Sequence, residues 1–373
     1  MIVLDHGYDN FQQWIGDPRI MVGKLRSDEK STFWDIVHHT KWNLSFGVDI
    51  FFLISGFLIT YLLLNEKEKF GTINLGKFYI RRALRIWPLY FFIILLGPLL
   101  CSITKATVQP DYLSASLFYY NFHAIFNMGT EFPFGHLWSI SVEEHFYLLL
   151  PLLLFFFNPK HYLKVIISLI VISFVSRYLV FPADNRTFFW LYYGTFSNMD
   201  TLAAGSLLAY MHFKKPFQLK NKIFPTLCLI ALTTLFLTHD RLDFGELWSY
   251  MTSALISKYI FLSLLCVVFL YFMFGDHRLQ RIESPGVLHY LGKISFGIYM
   301  YHNILTSLIN RYIIAYSNES LNWPIFNAFK NSFWWYWTIY LLAVFLVSML
   351  SYELFEKRIL KLKDKFALIK TSR

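Results

Sequence analysis

Apolar runs of about membrane thickness recur along the whole chain, near residues 45–64, 86–101, 136–157, 163–181, 188–212, 223–238, 248–274, 288–314 and 332–356. A helix needs about 20 apolar residues to cross a bilayer. Lipid offers no partner to an unpaired backbone amide, so such segments are helical. The pattern predicts an all-α, polytopic membrane bundle of about ten transmembrane helices. The expectation is one transmembrane domain over residues 1–373, with no C-terminal soluble domain. Charged residues are 16% of the chain, against about 25% in soluble domains. The runs at 86–101 and 223–238 are short and should extend into their flanks. Residues 112–126 (YLSASLFYYNFHAIF) are a weaker candidate and read as interfacial or re-entrant.

The net charge of +10 does not imply nucleic acid, because the basic residues fall between apolar runs. Placing 65–85, 158–164, 214–222, 275–287 and the tail after 356 inside gives those loops 21 lysines and arginines. The longer outer set carries about ten, the positive-inside bias of an inner-membrane, multi-pass protein with a cytoplasmic C-terminus. The same topology makes residues 7–44 external, so a helix must cross before them. Only MIVL is present for that, and the expectation is a first helix that begins upstream of Met1. Cys101, Cys228 and Cys266 give neither a disulfide framework nor a metal site. His38 and His39 lack companion ligands, and no metal is expected.

The most unusual segment is HLWSISVEEHFYLLLPLLLFFF at 136–157. Glu143 and Glu144 stand inside an apolar run, where a carboxylate costs roughly 2.5–3.5 kcal/mol at mid-bilayer. Such a group faces a polar cavity or a partner and is a candidate acid or base. Structural pairing of Glu143 with an intramembrane cation, Arg177 or Lys258, is the competing reading; Glu144 is expected to face solvent or a loop. In KFYIRRALRIWPLY (77–90), Arg81 and Arg85 share a helical face and Arg82 lies near Arg85. Three guanidiniums can clamp phosphates with bidentate hydrogen bonds. A positive-inside anchor on lipid phosphates fits the same residues. Trp87 and Pro88 read as interface markers.

Taken in order, GVDIFFLISGFLIT (47–60), FYIRRALRIWPLY (78–90), HLWSISVEEHFYLLLP (136–151), LGKISFGIYMYH (291–302) and SYELFEKRILKL (351–362) resemble the motifs of the acyltransferase 3 family, integral membrane O-acyltransferases. The resemblance implies transfer of an acyl group, acetyl by default, from acyl-CoA (acetyl-CoA) as co-substrate to a hydroxyl of a cell-surface or lipid-linked glycan. No bound cofactor is implied; the partners are donor, acceptor and membrane lipids. It also assigns residues. The family's first-helix histidine falls at His6, its arginine ten residues earlier would precede Met1, its arginine pair is Arg82 and Arg85, and its serine-to-glutamate motif is Ser139 and Glu143. Its usual glutamine after the glutamates is His145 here.

On that basis His6 is the expected general base. Glu143 orients it or shares its proton, and Arg81, Arg82 and Arg85 hold the donor's phosphates. Trp138, Ser139, Asp49, Tyr299 and His302 are pocket candidates. For two of these a plainer role fits equally: Asp49 as a helix cap and His302 as a satisfied interfacial histidine. The chain has no HExxH, GxGxxG or phosphate loop, and SISVE lacks the glycines of a hydrolase elbow. The alternative function is a transporter or flippase for a lipid-linked saccharide. Such proteins often carry internal repeats, and none is evident.

Overall fold

The computed structural model describes residues 46–106, 108–180, 186–214, 223–238, 259–269, 286–309, 333–363 and 365, and every element among them is helical. In chain order these are α1 (Phe46–Phe70), α2 (Leu75–Thr104), α3 (Tyr112–Ser116), α4 (Tyr120–Phe126), α5 (Leu137–Phe156), α6 (Tyr162–Val180), α7 (Thr187–Tyr193) and α8 (Thr195–Lys214). There follow α9 (Ile223–Thr238), α10 (Tyr259–Phe269), α11 (Val287–Leu308), α12 (Phe333–Ser351) and, after a π turn at Tyr352–Glu356, α13 (Lys357–Lys363). Among the described residues five stretches are long and apolar enough to cross a membrane: Phe46–Phe70, Leu75–Thr104, Leu137–Phe156, Pro159–Val180 and Trp337–Leu362. The protein is thus a multi-pass membrane bundle. Its outer surface agrees: Leu95, Phe174, Tyr178, Leu179 and Leu354 are exposed apolar side chains, as lipid contact requires.

The closest packing joins α1 to α8. A Cβ on Gly56 would land on the Leu202 carbonyl, and one on Gly205 would land on the Leu53 carbonyl and 2.8 Å from the Phe57 nitrogen. The two backbones therefore touch through a pair of glycines, the small-residue contact by which membrane helices associate. Thr60 Oγ1 donates across this seam to Ser206 Oγ at 2.7 Å. At its other end Thr201 Oγ1 donates to Asp49 Oδ1 at 3.1 Å. One side of α8 also packs on α6. There Arg177 (α6) pairs with Asp200 (α8), with Oδ1 at 3.0 Å and Oδ2 closer still. Arg177 also donates to the Ser197 carbonyl and, at 2.7 Å, to Tyr259 of α10. Arg177 and Asp200 are 2% and 1% exposed, so one saturated ion pair staples three helices.

One expectation needs correction and another is met. The run at 188–212 is two helices, broken at Gly194 between α7 and α8. The Asn198 amide donates to the Tyr192 and Gly194 carbonyls at 2.8 and 3.0 Å, satisfying groups that the break frees. The short run at 86–101 lies within α2, which is 30 residues long and continues through Pro88 and Pro98. The run thus extends into both flanks, as expected, with Trp87 and Pro88 interior to the helix.

Residues 112–126 double back along α2. Tyr90 donates to the Ala115 carbonyl at 2.7 Å, and the Phe118 ring stacks on Tyr90 at 4.6 Å. Tyr90 lies fourteen residues before Thr104, about 21 Å along the helix at 1.5 Å per residue. The α3–α4 hairpin is re-entrant in that sense, with its tip at Phe118, a non-glycine residue at φ +55°. His123 closes its stem, 3.2 Å from Asp111 Oδ2 and 3.0 Å from Glu131 Oε1. Hydrogen bonds from the Ser114 hydroxyl and the Leu113 and Ser114 amides, with His123 nearby, hold the Asp111 carboxyl below its ordinary value.

Candidate active site

Helical geometry puts Ser139, Glu143 and Tyr147 on one stripe of α5, at i, i+4 and i+8. All three are buried, at 0%, 2% and 2% exposure. Eight residues rise about 12 Å, so the stripe is a polar ladder inside an otherwise apolar helix. Its middle and one end are joined: Tyr147 OH donates to Glu143 Oε1 at 2.7 Å. Tyr147 OH also shares a short hydrogen bond with Ser55 Oγ of α1. The α1–α8 glycine contact is on the next residue, Gly56, so Ser55 turns toward α5 while α8 fills the other side.

Helix α2 brings the cations. The Arg82 guanidinium lies 3.6 Å from the Tyr147 ring centroid, and Arg82 and Arg85 both act electrostatically on Glu143. Arg82 Nε is buried and makes no hydrogen bond. Arg85 is exposed. Arg81 faces elsewhere: its Nη2 is 2.8 Å from Glu66 Oε2, and Glu66 Oε1 accepts from the Asn74 amide at 2.7 Å. That arginine closes the α1–α2 turn. Of the three basic candidates, Arg82 and Arg85 act on the carboxylate through space, whereas Arg81 is paired with Glu66.

Glu144 departs from expectation. Instead of facing a loop it is half-buried, accepting from Trp87 Nε1 at 3.3 Å, with Oε1 buried and unbonded. The side-by-side placement of α2 and α5 explains this, because it sets the Trp87 indole against the second glutamate. Arg177 is not the partner of Glu143; both its terminal nitrogens are engaged by Asp200, Ser197 and Tyr259. Lys258 and His6 lie outside the described residues.

The other end of the ladder meets α11. Ser139 Oγ shares a short hydrogen bond with Tyr299 OH, and Tyr299 OH donates to the His136 carbonyl at 2.8 Å. His302, fully buried, sits one turn on, its Nδ1 2.5 Å from the Tyr299 carbonyl oxygen and its ring 5.6 Å from the His136 ring. Ser139, Tyr299 and His302 thus come together with His136. Trp138 points off the stripe, among Phe52, Tyr192 and Tyr193 at 6.4, 5.0 and 5.1 Å. Asp49 is in the first turn of α1, held by Thr201. His145 Nδ1 is 2.7 Å from Thr195 Oγ1. Sequence reasoning missed Ser55, Tyr147 and His136. The spacing from Glu143 to Tyr147 was a readable signal; nothing local marked Ser55.

The buried Glu143 carboxylate is thus held by a hydroxyl within a membrane bundle, with Arg82 toward one end of the ladder and His136 and His302 at the other. The family described as an acyltransferase domain, Acyl_transf_3, matches residues 1–353, and the chain belongs to that family. It is 29% identical over 295 residues to O-acetyltransferase OatA of Staphylococcus aureus strains NCTC 8325 and COL. The match covers 72% of this chain and 47% of each relative, so the chain spans about half the length of those proteins. No solved structure gives a significant match.

Proposed function

We propose that the protein moves an acetyl group from acetyl-CoA to a hydroxyl of a cell-surface or lipid-linked glycan, across the inner membrane. The observation that carries this reading is the Arg82 guanidinium, 3.6 Å from the ring of the tyrosine whose hydroxyl holds the buried Glu143 carboxylate, with Arg85 close enough to act on the same carboxylate. Guanidiniums there can take the donor's phosphates while a carboxylate works on the acyl end. The naming of relatives as O-acetyltransferases supports acetyl as the group. The positive-inside bias supports a cytosolic position for the arginine end of α2 and for the C-terminus, on the side from which acetyl-CoA would be supplied.

In this mechanism His6 takes the proton of the acceptor hydroxyl, and Glu143 orients the imidazole and stabilises its positive form. The freed oxygen attacks the thioester carbonyl, the carbon–sulfur bond breaks, and the coenzyme A thiolate leaves and takes the proton back. Ser139, Tyr299 and His302 line the approach at the end of the ladder remote from Arg82. The test is acetyl transfer by Glu143→Gln and His6→Ala in the full-length protein, followed as a gain of one acetyl group on the glycan. Loss of more than about 100-fold in both is expected for groups acting in the proton transfer. Wild-type rates in both would end the mechanism, and unchanged coenzyme A binding in Arg82→Ala/Arg85→Ala would end the donor assignment.

A further inference from the structure

Tyr147 touches both halves of the cluster. Its hydroxyl donates to Glu143 Oε1 and bonds Ser55, and its ring lies under the Arg82 guanidinium. A buried tyrosine needs a partner for its hydroxyl, but it does not need two, nor an arginine on its face. The stacking geometry matters. A guanidinium lying face-on to a ring uses its face and leaves its in-plane N–H groups pointing outward, the edge that forks onto phosphate.

We propose that Tyr147 is a positioning residue that sets the distance between donor site and carboxylate: its ring presents Arg82 to the donor's phosphates, and its hydroxyl, steadied by Ser55, fixes Glu143. The inference rests on the acyl-CoA reading above and adds to it a residue with two separable jobs. Occupying Oε1 of Glu143 directs the remaining chemistry to Oε2. Around Glu143 the charged and titratable groups are Arg82 and Arg85 of α2, Glu144 and Tyr147 of α5, and Tyr299 of α11. Tyr147 alone among these bonds the carboxylate and carries an arginine.

The two jobs come apart by substitution. The full-length protein, in native membranes that supply the acceptor, is given radiolabelled acetyl-CoA, and kcat and donor KM are measured. Tyr147→Phe keeps the ring and loses the hydroxyl. It should lower kcat about 10- to 100-fold, the range for a hydrogen bond to a charged group, with donor KM within about twofold of wild type. Tyr147→Leu loses both, and should lower kcat equally while raising donor KM about 3- to 30-fold, the range of a buried cation–π contact. Ser55→Ala removes from the other helix a hydroxyl that supports both Tyr147 and Glu143, and should lower kcat alone. Each variant is checked for wild-type elution and melting in detergent. Wild-type kcat in Tyr147→Phe and Ser55→Ala would overturn the inference, as would an equal rise in KM for the Phe and Leu variants. If the wild-type protein fails to turn over acetyl-CoA, the donor reading falls and takes this inference with it; turnover with an unsplit KM and kcat sinks the inference alone.

Discussion

Removing one member of the Arg177–Asp200 pair should be costlier than removing both. Arg177 reaches Asp200, the Ser197 carbonyl and Tyr259, so three helices share one buried cation. Arg177→Met leaves the Asp200 carboxylate, 1% exposed, without its ion-pair cation, and breaking a buried pair in this way costs about 3–5 kcal/mol. Replacing both partners by apolar residues of similar size is often near neutral. Arg177→Met/Asp200→Leu should therefore recover most of the loss, a coupling of about 3 kcal/mol in a double-mutant cycle. An unfolding entropy of about 2.1 cal/mol/K per residue gives about 0.8 kcal/mol/K for 373 residues, so the single variants should melt about 4–6 °C lower. The assay is thermal denaturation of the detergent-purified protein, followed by loss of monodisperse elution. If the single losses simply add in the double variant, or if neither single variant loses stability, the staple is not what holds α6, α8 and α10 together.

Three further outcomes follow from packing and charge. Gly205→Val drives a side chain into the α1 backbone near Leu53 and Phe57, and should lower stability by at least the 1–3 kcal/mol or so typical of overpacking; a wild-type melting point would refute the backbone contact. Glu66→Gln and Arg81→Gln should each destabilise, and together no more than the worse of the two, because each breaks the same bridge at the α1–α2 turn; additive losses would show the two act independently. Asp111 is held below its ordinary value by its cap hydrogen bonds and His123. For such a depressed carboxylate the stabilisation is complete above the unfolded pKa of about 3.9 and is lost as pH falls below it. Asp111→Asn should then flatten the stability of the α3–α4 hairpin below about pH 4 relative to wild type, read by amide exchange, and an unchanged acid limb would refute it.

The sequence pattern found helices well and partners poorly. Runs at 45–64, 136–157, 163–181 and 332–356 fall on α1, α5, α6 and α12, because lipid enforces helical backbone wherever apolar length suffices. Residues 112–126, read as interfacial or re-entrant, form two short helices that pack back along α2, with Asp111 capping the first. The break at Gly194 went unread although a signal was there: an aromatic run ends at the glycine, and Ser197, Asn198 and Asp200 follow it. Ser55, by contrast, was invisible: its partner Tyr147 is 92 residues away, and no local pattern records which helix faces which. Arg177 illustrates the same limit. The sequence offered Glu143 as its partner on charge alone, but α6 packs against α8, and the carboxylate on the neighbouring helix takes the arginine.

Two adjacent arginines on α2 show how structural and functional charge can be told apart. Arg81 ends on Glu66, whose other oxygen is filled by a backbone amide; nothing in that bridge is left over. Arg82, one residue on, is rotated by a third of a turn onto the Tyr147 ring with Nε buried and unbonded, near a glutamate whose Oε1 is also buried and unbonded. A fold that merely needed a cation at this depth would satisfy it as it satisfies Arg81 and Arg177, because an unmet buried polar group costs about 1–3 kcal/mol. Buried atoms without a hydrogen bond also occur at Asn121, Ser173 and Ser348, so it is the donor reading proposed above that assigns the open bonds of Arg82 and Glu144 to a ligand. On that reading donor affinity should follow Arg82, while turn stability should follow Arg81.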